Sequence, residues 1–494
     1  MTRERRAFLP AFSECKIHLE VDMKKLILLL IMISLSVWLG CDVKTPEQPQ
    51  VQTFSKVVAL GNSLTAGFQS SGLCECMQPQ SYPNLIARQM GNASEFEQPI
   101  VHEPGIGSTP GKGHLQLVHG KIIAPDLTVP PQAMLLNAQL ARPYDNLGVP
   151  GASLRDMLYA TDATTSVAKT NSFFNIVLRN PNLGNTTQLQ QAIALNPSLV
   201  LLWIGDNDVL GAALNGGNPA LITPQADFQT LFTTLLSELH AKTNAKIIMA
   251  NIPYVTDIPY INTMDIIFRP IPALGISQSV PVVFDATFHP VDFDASANFL
   301  YLPLLTEEKS VAHLTLPALS AYQTGLGIPN AAALMQMGLP EAQAQVLELG
   351  MKAAGLNPTG QPLSGTMSIT NTENLTMKQA VDDFNSTLQA LATQFQIPLV
   401  DANALFSHVN SSGLDGYSSR FVLLDPANTA FSLDGVHPND GGYALVANAF
   451  IEKINASFNL AIPKLNCPDF KGQYAGGISA QMTMEVVEQV KAIF

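Results

Sequence analysis

The chain has 494 residues, of which 47% are hydrophobic and only 13% are charged. This balance excludes a disordered chain, because disorder requires low hydrophobicity together with high net charge. The formal net charge is −13, from 39 acidic residues against 26 Lys and Arg residues. A surface with this excess of negative charge repels phosphate backbones, so binding to nucleic acid is not expected.

The N-terminal segment has the pattern of a bacterial export signal. Lys24 and Lys25 precede an apolar run over residues 26–39, which ends at Gly40 and Cys41. A basic stub, a short apolar run and a small residue indicate a signal peptide, and the run is short for a membrane span. A cysteine directly after the small residue indicates a lipoprotein in which Cys41 is lipidated. A simple membrane anchor or a cleaved signal with an incidental cysteine is the alternative.

These features predict how the first part of the chain is processed. Residues 1–40 form the predicted signal peptide, with Met23 as the expected start and residues 1–22 as an extension that is not translated. Residues 41–53 form a polar tether between the lipid and the folded body. We expect an exported protein, lipid-anchored in the bacterial cell envelope, either facing the periplasm or in the outer membrane.

Three of the five cysteines would remain unmodified in the exported protein, and they are Cys74, Cys76 and Cys467. In an oxidising compartment we expect one disulfide, between Cys467 and either Cys74 or Cys76, with one thiol left over. The three cysteines could instead bind a metal. No other residue near them has the spacing of zinc ligands, so we predict no metal site.

From residue 54 onwards, short apolar runs alternate with helical patterns. Strands are predicted at 56–60, 144–149, 198–204, 246–250 and 398–400. Helices are predicted at 82–90, 227–242, 376–395 and 440–454. Strands that alternate with helices indicate βαβ units, so the predicted fold class is α/β, with a parallel sheet covered on both faces.

Two stretches interrupt the alternation of strands and helices. Residues 91–143 are irregular and rich in turn-forming residues. Residues 256–372 hold many Pro, Gly, Phe and Tyr residues, followed by a helical pattern over 330–356. Because a structureless loop of that length is not expected inside a domain, we predict that 256–372 form an inserted cap subdomain.

The insertion divides the rest of the chain into separate parts. The core fold is predicted to consist of residues 54–255 and residues 373–465. Residues 466–494 form a C-terminal tail, with a helix predicted from Ser479 onwards.

Two polar blocks carry residue types suited to nucleophilic catalysis. The first is 61–67, where Ser63 follows the first strand, at the edge where α/β sheets bind ligands. Taken alone, Ser63 could equally be a helix cap. The second is 434–439, where Asp434 precedes His437 by three residues. An aspartate in that position can accept from the imidazole and leave its other nitrogen free as a base.

Two further blocks follow strands and could donate hydrogen bonds to a reacting oxygen. The block 146–153 contains Gly151, whose backbone can approach a ligand closely, although a plain turn is the simpler interpretation. The block 205–208 contains Asn207, whose side-chain amide can donate to an oxyanion. Asp206 and Asp208 on either side could suggest a metal. Hard cations need more oxygen ligands, so a structural role is favoured.

Taken together in this order, the four blocks resemble those of the SGNH hydrolase family, also called GDSL-type esterases and lipases. Residues 61–64 (Gly-Asn-Ser-Leu) correspond to the family's Gly-Asp-Ser-Leu, and Gly151 corresponds to the glycine of the second block. Residues 205–208 match Gly-x-Asn-Asp, and residues 434–437 match Asp-x-x-His. The resemblance covers residues 54–255 and 373–460. The one departure is an asparagine at position 62, which puts the stability of the loop in doubt more than the type of reaction.

The resemblance implies a fold and a set of roles. The expected fold is the flavodoxin-like three-layer α/β/α sandwich, with the predicted cap inserted. Ser63 is expected to be the nucleophile, His437 its base, and Asp434 the residue that orients the base. The Ser63 and Gly151 backbone amides and the Asn207 side chain are expected to form the oxyanion hole. Nothing in this scheme requires a metal or an organic cofactor.

The implied activity is that of a serine esterase acting on carboxylic esters through an acyl-enzyme. The apolar and aromatic composition of the insertion favours acyl or lipid esters as substrates. A carbohydrate O-deacetylase of the same family is one alternative. A surface-binding lipoprotein that has lost activity is another, and the departure at Asn62 is its only support. The expected partners are the ester substrate and, through the lipid, the membrane.

Overall fold

The computed structural model describes residues 54–118, 121–271, 276–283, 303–306, 311–353 and 355–471. The predicted signal peptide, the lipidated Cys41, the tether and the helix predicted from Ser479 lie outside these residues. Among the helices that are described, none combines the length and the apolar character needed to cross a membrane.

The strands of the described residues follow in chain order. They are β1 (Val57–Gly61), β2 (Gly72–Leu73), β3 (Ile106–Gly107), β4 (Gln116–Val118), β5 (Lys121–Ile123), β6 (Asn146–Gly148), β7 (Leu199–Trp203), β8 (Lys246–Ala250), β9 (Met264–Ile271), β10 (Ile276–Val283), β11 (Val311–Leu314), β12 (Ser368–Thr370) and β13 (Leu399–Val400).

The α-helices of the same residues also follow in chain order. They are α1 (Ser63–Ala66), α2 (Tyr82–Gln89), α3 (Leu154–Tyr159), α4 (Phe173–Leu178), α5 (Asn180–Leu183), α6 (Gln188–Ala194), α7 (Asn207–Ala213), α8 (Gln225–Lys242), α9 (Pro259–Asn262), α10 (Pro317–Gln323), α11 (Ala331–Gln336), α12 (Glu341–Ala353), α13 (Asn371–Phe395), α14 (Ala402–Ser411) and α15 (Asp440–Phe458).

The centre of the fold is a five-stranded sheet in the order β13-β8-β7-β1-β6, and each neighbouring pair is parallel. One group of helices, α3, α6, α8 and α13, packs together, and α2 and α14 pack against α15. The predicted α/β class with a parallel sheet is therefore confirmed. The register pairs Gly61 with both Trp203 and Gly148, so β1, β7 and β6 end at the same edge of the sheet.

The central strands are apolar along their whole length because helices cover both faces of the sheet. Every residue of β1 and β7 is buried. At the end of β7, Trp203 packs edge-on against Tyr82 of α2, and Tyr82 stacks on Phe450 of α15 with ring centroids 4.8 Å apart. Continuous apolar runs of this kind are typical of parallel strands, which explains why they could be predicted from the sequence.

The region predicted as a cap contains a second sheet that the sequence did not suggest. Its strands are antiparallel in the order β10-β9-β11-β12. Pro270 and Pro281 lie within β9 and β10, and proline normally argues against a strand. The predicted helical stretch over 330–356 contains two helices, α11 and α12. A separate hydrophobic cluster, which includes Leu314 and Leu334, packs within this region.

The predicted disulfide between Cys467 and Cys74 or Cys76 is not formed, and all three residues are free thiols in the structure. The reason lies in where the chain places them. Cys467 lies in a short 3₁₀ helix packed on α15, where its sulfur accepts a hydrogen bond from the Asn448 side chain at 3.1 Å. Cys74 and Cys76 follow β2, and their sulfurs are 2.6 Å apart.

Candidate active site

Ser63 is the first residue of α1, directly beyond the end of β1. The helix is capped by Asn62, whose side-chain oxygen accepts from the Leu64 amide at 3.0 Å, so Ser63 is not itself the cap. The strand-to-helix turn is tight, because a Cβ at Gly61 would overlap the Thr65 hydroxyl and the Trp203 carbonyl. The turn presents Ser63 at a cavity while leaving it only 5% exposed.

The structure brings Ser63, His437 and Asp434 together in one hydrogen-bonded chain. The Ser63 Oγ lies 2.9 Å from the His437 Nε2. The His437 Nδ1 lies 2.9 Å from the Asp434 Oδ2. The Asp434 carboxylate can only accept, so Nδ1 donates to it and Nε2 is free to accept the proton of Ser63. The arrangement has the geometry of a nucleophile, a base and a group that orients the base.

Asp434 is buried, and its surroundings favour the ionised form. Its Oδ1 accepts from the backbone amides of Val436 and His437 at 2.9 Å each. Its Oδ2 accepts from the Ser71 amide at 2.6 Å. Burial alone would raise the pKa of Asp434, but the charge of His437 and the hydrogen bonds from His437 and the Val436 amide outweigh burial and lower the pKa to about 2. The carboxylate is therefore charged at neutral pH and can stabilise an imidazolium.

The segment of Ser70 and Ser71, which also holds Asp434, was not predicted from the sequence. Ser70 and Ser71 have φ values of 49° and 56°, in the left-handed region that non-glycine residues rarely adopt. In this conformation the Ser70 amide donates to the Ser432 hydroxyl at 2.8 Å, and Ser432 donates to Asp434 at 3.2 Å. A Ser-Ser-Gly run shows only that a turn is present, so no pattern identified these donors.

Of the predicted oxyanion donors, Asn207 lines the cavity above Ser63 and Gly151 does not. Asn207 begins α7 and lines the same cavity as Ser63. One hydrogen of its amide nitrogen is donated to the Ala152 carbonyl at 2.8 Å, which leaves the second hydrogen for a reacting oxygen. Gly151, next to Ala152, has a φ of 75°, but it is not among the described residues that line the cavity.

The two aspartates that flank Asn207 have structural partners. Asp208 accepts from the Leu154 amide at 2.9 Å and from the Thr223 hydroxyl at 2.7 Å, and burial raises its pKa to about 6. Asp206 accepts from the side-chain amide of Asn62 at 2.9 Å. Burial raises the pKa of Asp206 to about 7, although the bond from Asn62 opposes the shift.

A cavity that is open to solvent lies above Ser63 and His437, and most of its wall is apolar. The apolar side chains of the wall are Leu64, Leu210, Pro253, Tyr254, Val255, Ile258, Phe406, Phe431, Val436 and Pro438. Of residues 256–372, the described part contributes only Ile258 to this wall. The same region also contacts the loop of Asp434 and His437, because the Tyr260 amide donates to the Gly435 carbonyl at 2.8 Å.

A serine, a histidine and an aspartate that are joined by hydrogen bonds at the carboxyl edge of a parallel sheet form the arrangement of a serine hydrolase. Comparison with known families is more specific. The family model described as GDSL-like Lipase/Acylhydrolase matches residues 57–279 and 305–450, so the chain belongs to this family. The match extends into residues 256–372, which the four sequence blocks had left uncovered. A comparison with curated proteins finds no match.

Proposed function

We propose that the protein is a serine esterase that hydrolyses carboxylic esters through an acyl-enzyme intermediate. The observation that carries the proposal is the hydrogen-bonded chain from Ser63 through His437 to Asp434, at 2.9 Å for each step, beside an apolar cavity. Membership of the lipase and acylhydrolase family supports action on esters in general.

In the first half of the proposed reaction, the Ser63 Oγ attacks the ester carbonyl while the His437 Nε2 takes the hydroxyl proton. The carbonyl oxygen becomes an oxyanion, and the Ser63 amide, the Gly151 amide and the Asn207 side chain are proposed to donate to it. The carbon–oxygen bond to the alcohol then breaks. The alcohol leaves with the proton that His437 returns, and the acyl group remains on Ser63.

In the second half, water replaces the alcohol. His437 takes a proton from the water while the water oxygen attacks the acyl carbon. It returns this proton to Ser63 when the acid leaves. Asp434 stays ionised throughout, because its pKa is about 2, and it stabilises the charged imidazolium in both halves.

The cavity favours an acyl chain over a highly polar group as the part of the substrate it binds. Its lining is mostly apolar side chains with a few polar groups at Ser63, Asn207 and His437, as is usual for small-molecule sites. Burying each CH₂ group against this apolar wall would contribute about 0.8 kcal/mol, so binding should improve with chain length until the cavity is full.

We further propose that the enzyme is exported and anchored by a lipid on Cys41. The support is in the sequence alone: the basic stub, the apolar run of residues 26–39 and the cysteine after Gly40. Radiolabelled palmitate incorporated into the wild-type chain and lost in Cys41→Ser would support the anchor. A wild-type chain that carries no lipid when exported would contradict it.

The activity is tested with p-nitrophenyl esters from acetate to palmitate. We expect activity in the wild type, a loss of about 10⁶-fold in kcat for Ser63→Ala, and no change for Ser237→Ala, an exposed serine of α8. Covalent labelling by a fluorophosphonate should follow the same pattern. A folded wild type with no activity and no labelling would refute the proposal. A strong optimum at acetate would favour the deacetylase instead.

A further inference from the structure

Four side chains that can bind a metal lie close together, and all four belong to the part of the chain that runs from the end of β2 to the start of β4. The proposed reaction uses none of them. They are Cys74, Cys76, Glu103 and His114. The sulfurs of Cys74 and Cys76 are 2.6 Å apart. A ligand atom from each of Cys74, Glu103 and His114 lies within 4.8 Å of the other two. We name this group the Cys–His cluster.

His114 supplies the observation that distinguishes the cluster from a chance grouping. Its side chain is only 1% exposed, and its Nδ1 lies 2.8 Å from the Pro104 carbonyl. Because a carbonyl can only accept, Nδ1 carries the hydrogen and Nε2 carries a lone pair. That Nε2 is buried and finds no hydrogen-bond partner within the described residues. A buried polar atom without a partner is costly, and a metal ion bound by Nε2 would satisfy it. The Glu103 carboxylate lies 3.8 Å from Nδ1, so the exposed Glu103 side chain must move to reach a metal on Nε2.

The chain is built so that these residues can approach one another. A Cβ at Gly105 would lie 3.1 Å from the Cys74 Cβ and 3.2 Å from the His114 Nδ1, and Gly105 also has a φ of 76°. A Cβ at Gly72 would lie 2.5 Å from the Cβ of His114. Glycine at both positions therefore allows the segments of the three ligand types to pack closely.

We propose that the Cys–His cluster binds one divalent metal ion of the zinc type. Two sulfurs, one imidazole nitrogen and one carboxylate oxygen form a tetrahedral ligand set that suits zinc, whereas magnesium and calcium prefer oxygen alone. Both thiols bind as thiolates, so binding releases their two protons to solvent. With Zn–S bonds of about 2.3 Å, tetrahedral geometry separates the sulfurs by about 3.8 Å. The exposed Cys76 side chain must therefore rotate outward.

The position of the cluster gives the metal a structural role. The Leu115 amide donates to the Ser70 carbonyl at 2.6 Å, and the Ser71 amide holds Asp434. A metal on His114 would thus brace the segment that positions Asp434 without touching the substrate. The metal site stands on the cluster alone, so it does not depend on the proposed esterase activity.

The test measures metal content and stability on the full-length chain, purified with zinc and dialysed. We expect about one zinc per chain by mass spectrometry of the metal. Cys76→Ser and Glu103→Gln, at two exposed positions, should lower the content, and the double variant Cys74→Ser/Cys76→Ser should abolish it. The matched control is Cys467→Ser, which removes a buried thiol outside the cluster and should keep the metal.

Two further measurements identify the ligands and the role. Cobalt in place of zinc should show a thiolate charge-transfer absorption and tetrahedral visible bands in the wild type and in Cys467→Ser, but not in the double variant. Zinc should raise the Tm of the wild type, raise that of Cys76→Ser by less, and leave that of the double variant unchanged.

Three outcomes would overturn the metal site. One is a folded wild type that retains no zinc. Another is zinc retained equally in Cys76→Ser, Glu103→Gln and the wild type. The third is a Cys74–Cys76 disulfide in the exported chain, seen as a peptide lighter by two hydrogens before reduction.

Discussion

The side-chain amide of Asn62 donates to the carboxylate of Asp206 at 2.9 Å, joining the loop of Ser63 to the end of β7. The family that the sequence resembles usually has aspartate at position 62. An aspartate there would face Asp206 at hydrogen-bonding distance, and two carboxylates this close cannot both be ionised. Asn62 can therefore donate to Asp206 while its side-chain oxygen still caps α1. The asparagine at position 62 is for this reason only weak support for the alternative of an inactive protein.

The first prediction concerns this pair. Asn62→Asp should destabilise the fold by about 3 kcal/mol at pH 8, because it places a second buried carboxylate against Asp206. The loss should shrink towards pH 5, where one of the two carboxyls is protonated. The exchange variant Asn62→Asp/Asp206→Asn restores one donor and one acceptor, so it should recover most of the stability. Urea unfolding at both pH values measures the effect, and equal stability of Asn62→Asp and the wild type would contradict it.

A second prediction follows from the pKa of Asp206 in the wild type. Burial raises that pKa from 3.8 to about 7. Between these two pH values, the folded state therefore holds a proton that the unfolded state has lost. The stability contributed by the protonated form is complete below pH 3.8 and is lost as the pH rises to about 7. Asp206→Asn should therefore remove up to about 1.4 kcal/mol per pH unit from the slope of stability in this window.

Unfolding free energies at half-unit steps of pH test this slope. Asp227→Asn, at an exposed position in the first turn of α8, is the control and should leave the slope unchanged. The same slope in Asp206→Asn and the wild type would show that Asp206 does not change its protonation on folding.

A third prediction concerns Ser71, whose amide holds Asp434 while its own φ is 56°. Ser71→Val should destabilise the fold by about 1–3 kcal/mol, because a β-branched residue is strained in the left-handed region. It should also lower kcat, since the displaced amide no longer positions Asp434. Ser71→Gly keeps the amide and adopts this φ freely, so both quantities should stay near the wild type. A kcat in Ser71→Val equal to that of Ser71→Gly would contradict the role of the amide.

A fourth prediction concerns the proposed acyl site. Leu210 lies on α7 and lines the cavity, and Leu214 at the end of the same helix does not. Leu210→Trp should fill part of the cavity and lower kcat/KM for long-chain esters, while acetate esters are hydrolysed nearly as before. Leu214→Trp is the matched control and should leave the chain-length profile unchanged. An unchanged profile in Leu210→Trp would place the acyl chain elsewhere.

Much of the central fold could be predicted because it depends on local pattern. The strands β1 and β7 are continuous apolar runs, and every residue of both is buried. The second sheet could not be predicted in this way. Its strands β9 and β10 contain prolines, and their pairing with β11 and β12 joins segments far apart in the chain.

By itself, the sequence determined the parallel α/β fold, the positions of Ser63, His437 and Asp434 in short motifs, and the net negative charge. Only the tertiary structure decided what surrounds them: the amide of Ser71 on Asp434, the pairing of Asn62 with Asp206, and the meeting of Cys74 with His114. The physical reason is that motifs and periodicity depend on neighbouring residues. Buried hydrogen bonds instead depend on which distant segments the folded chain packs together, and no local pattern records that.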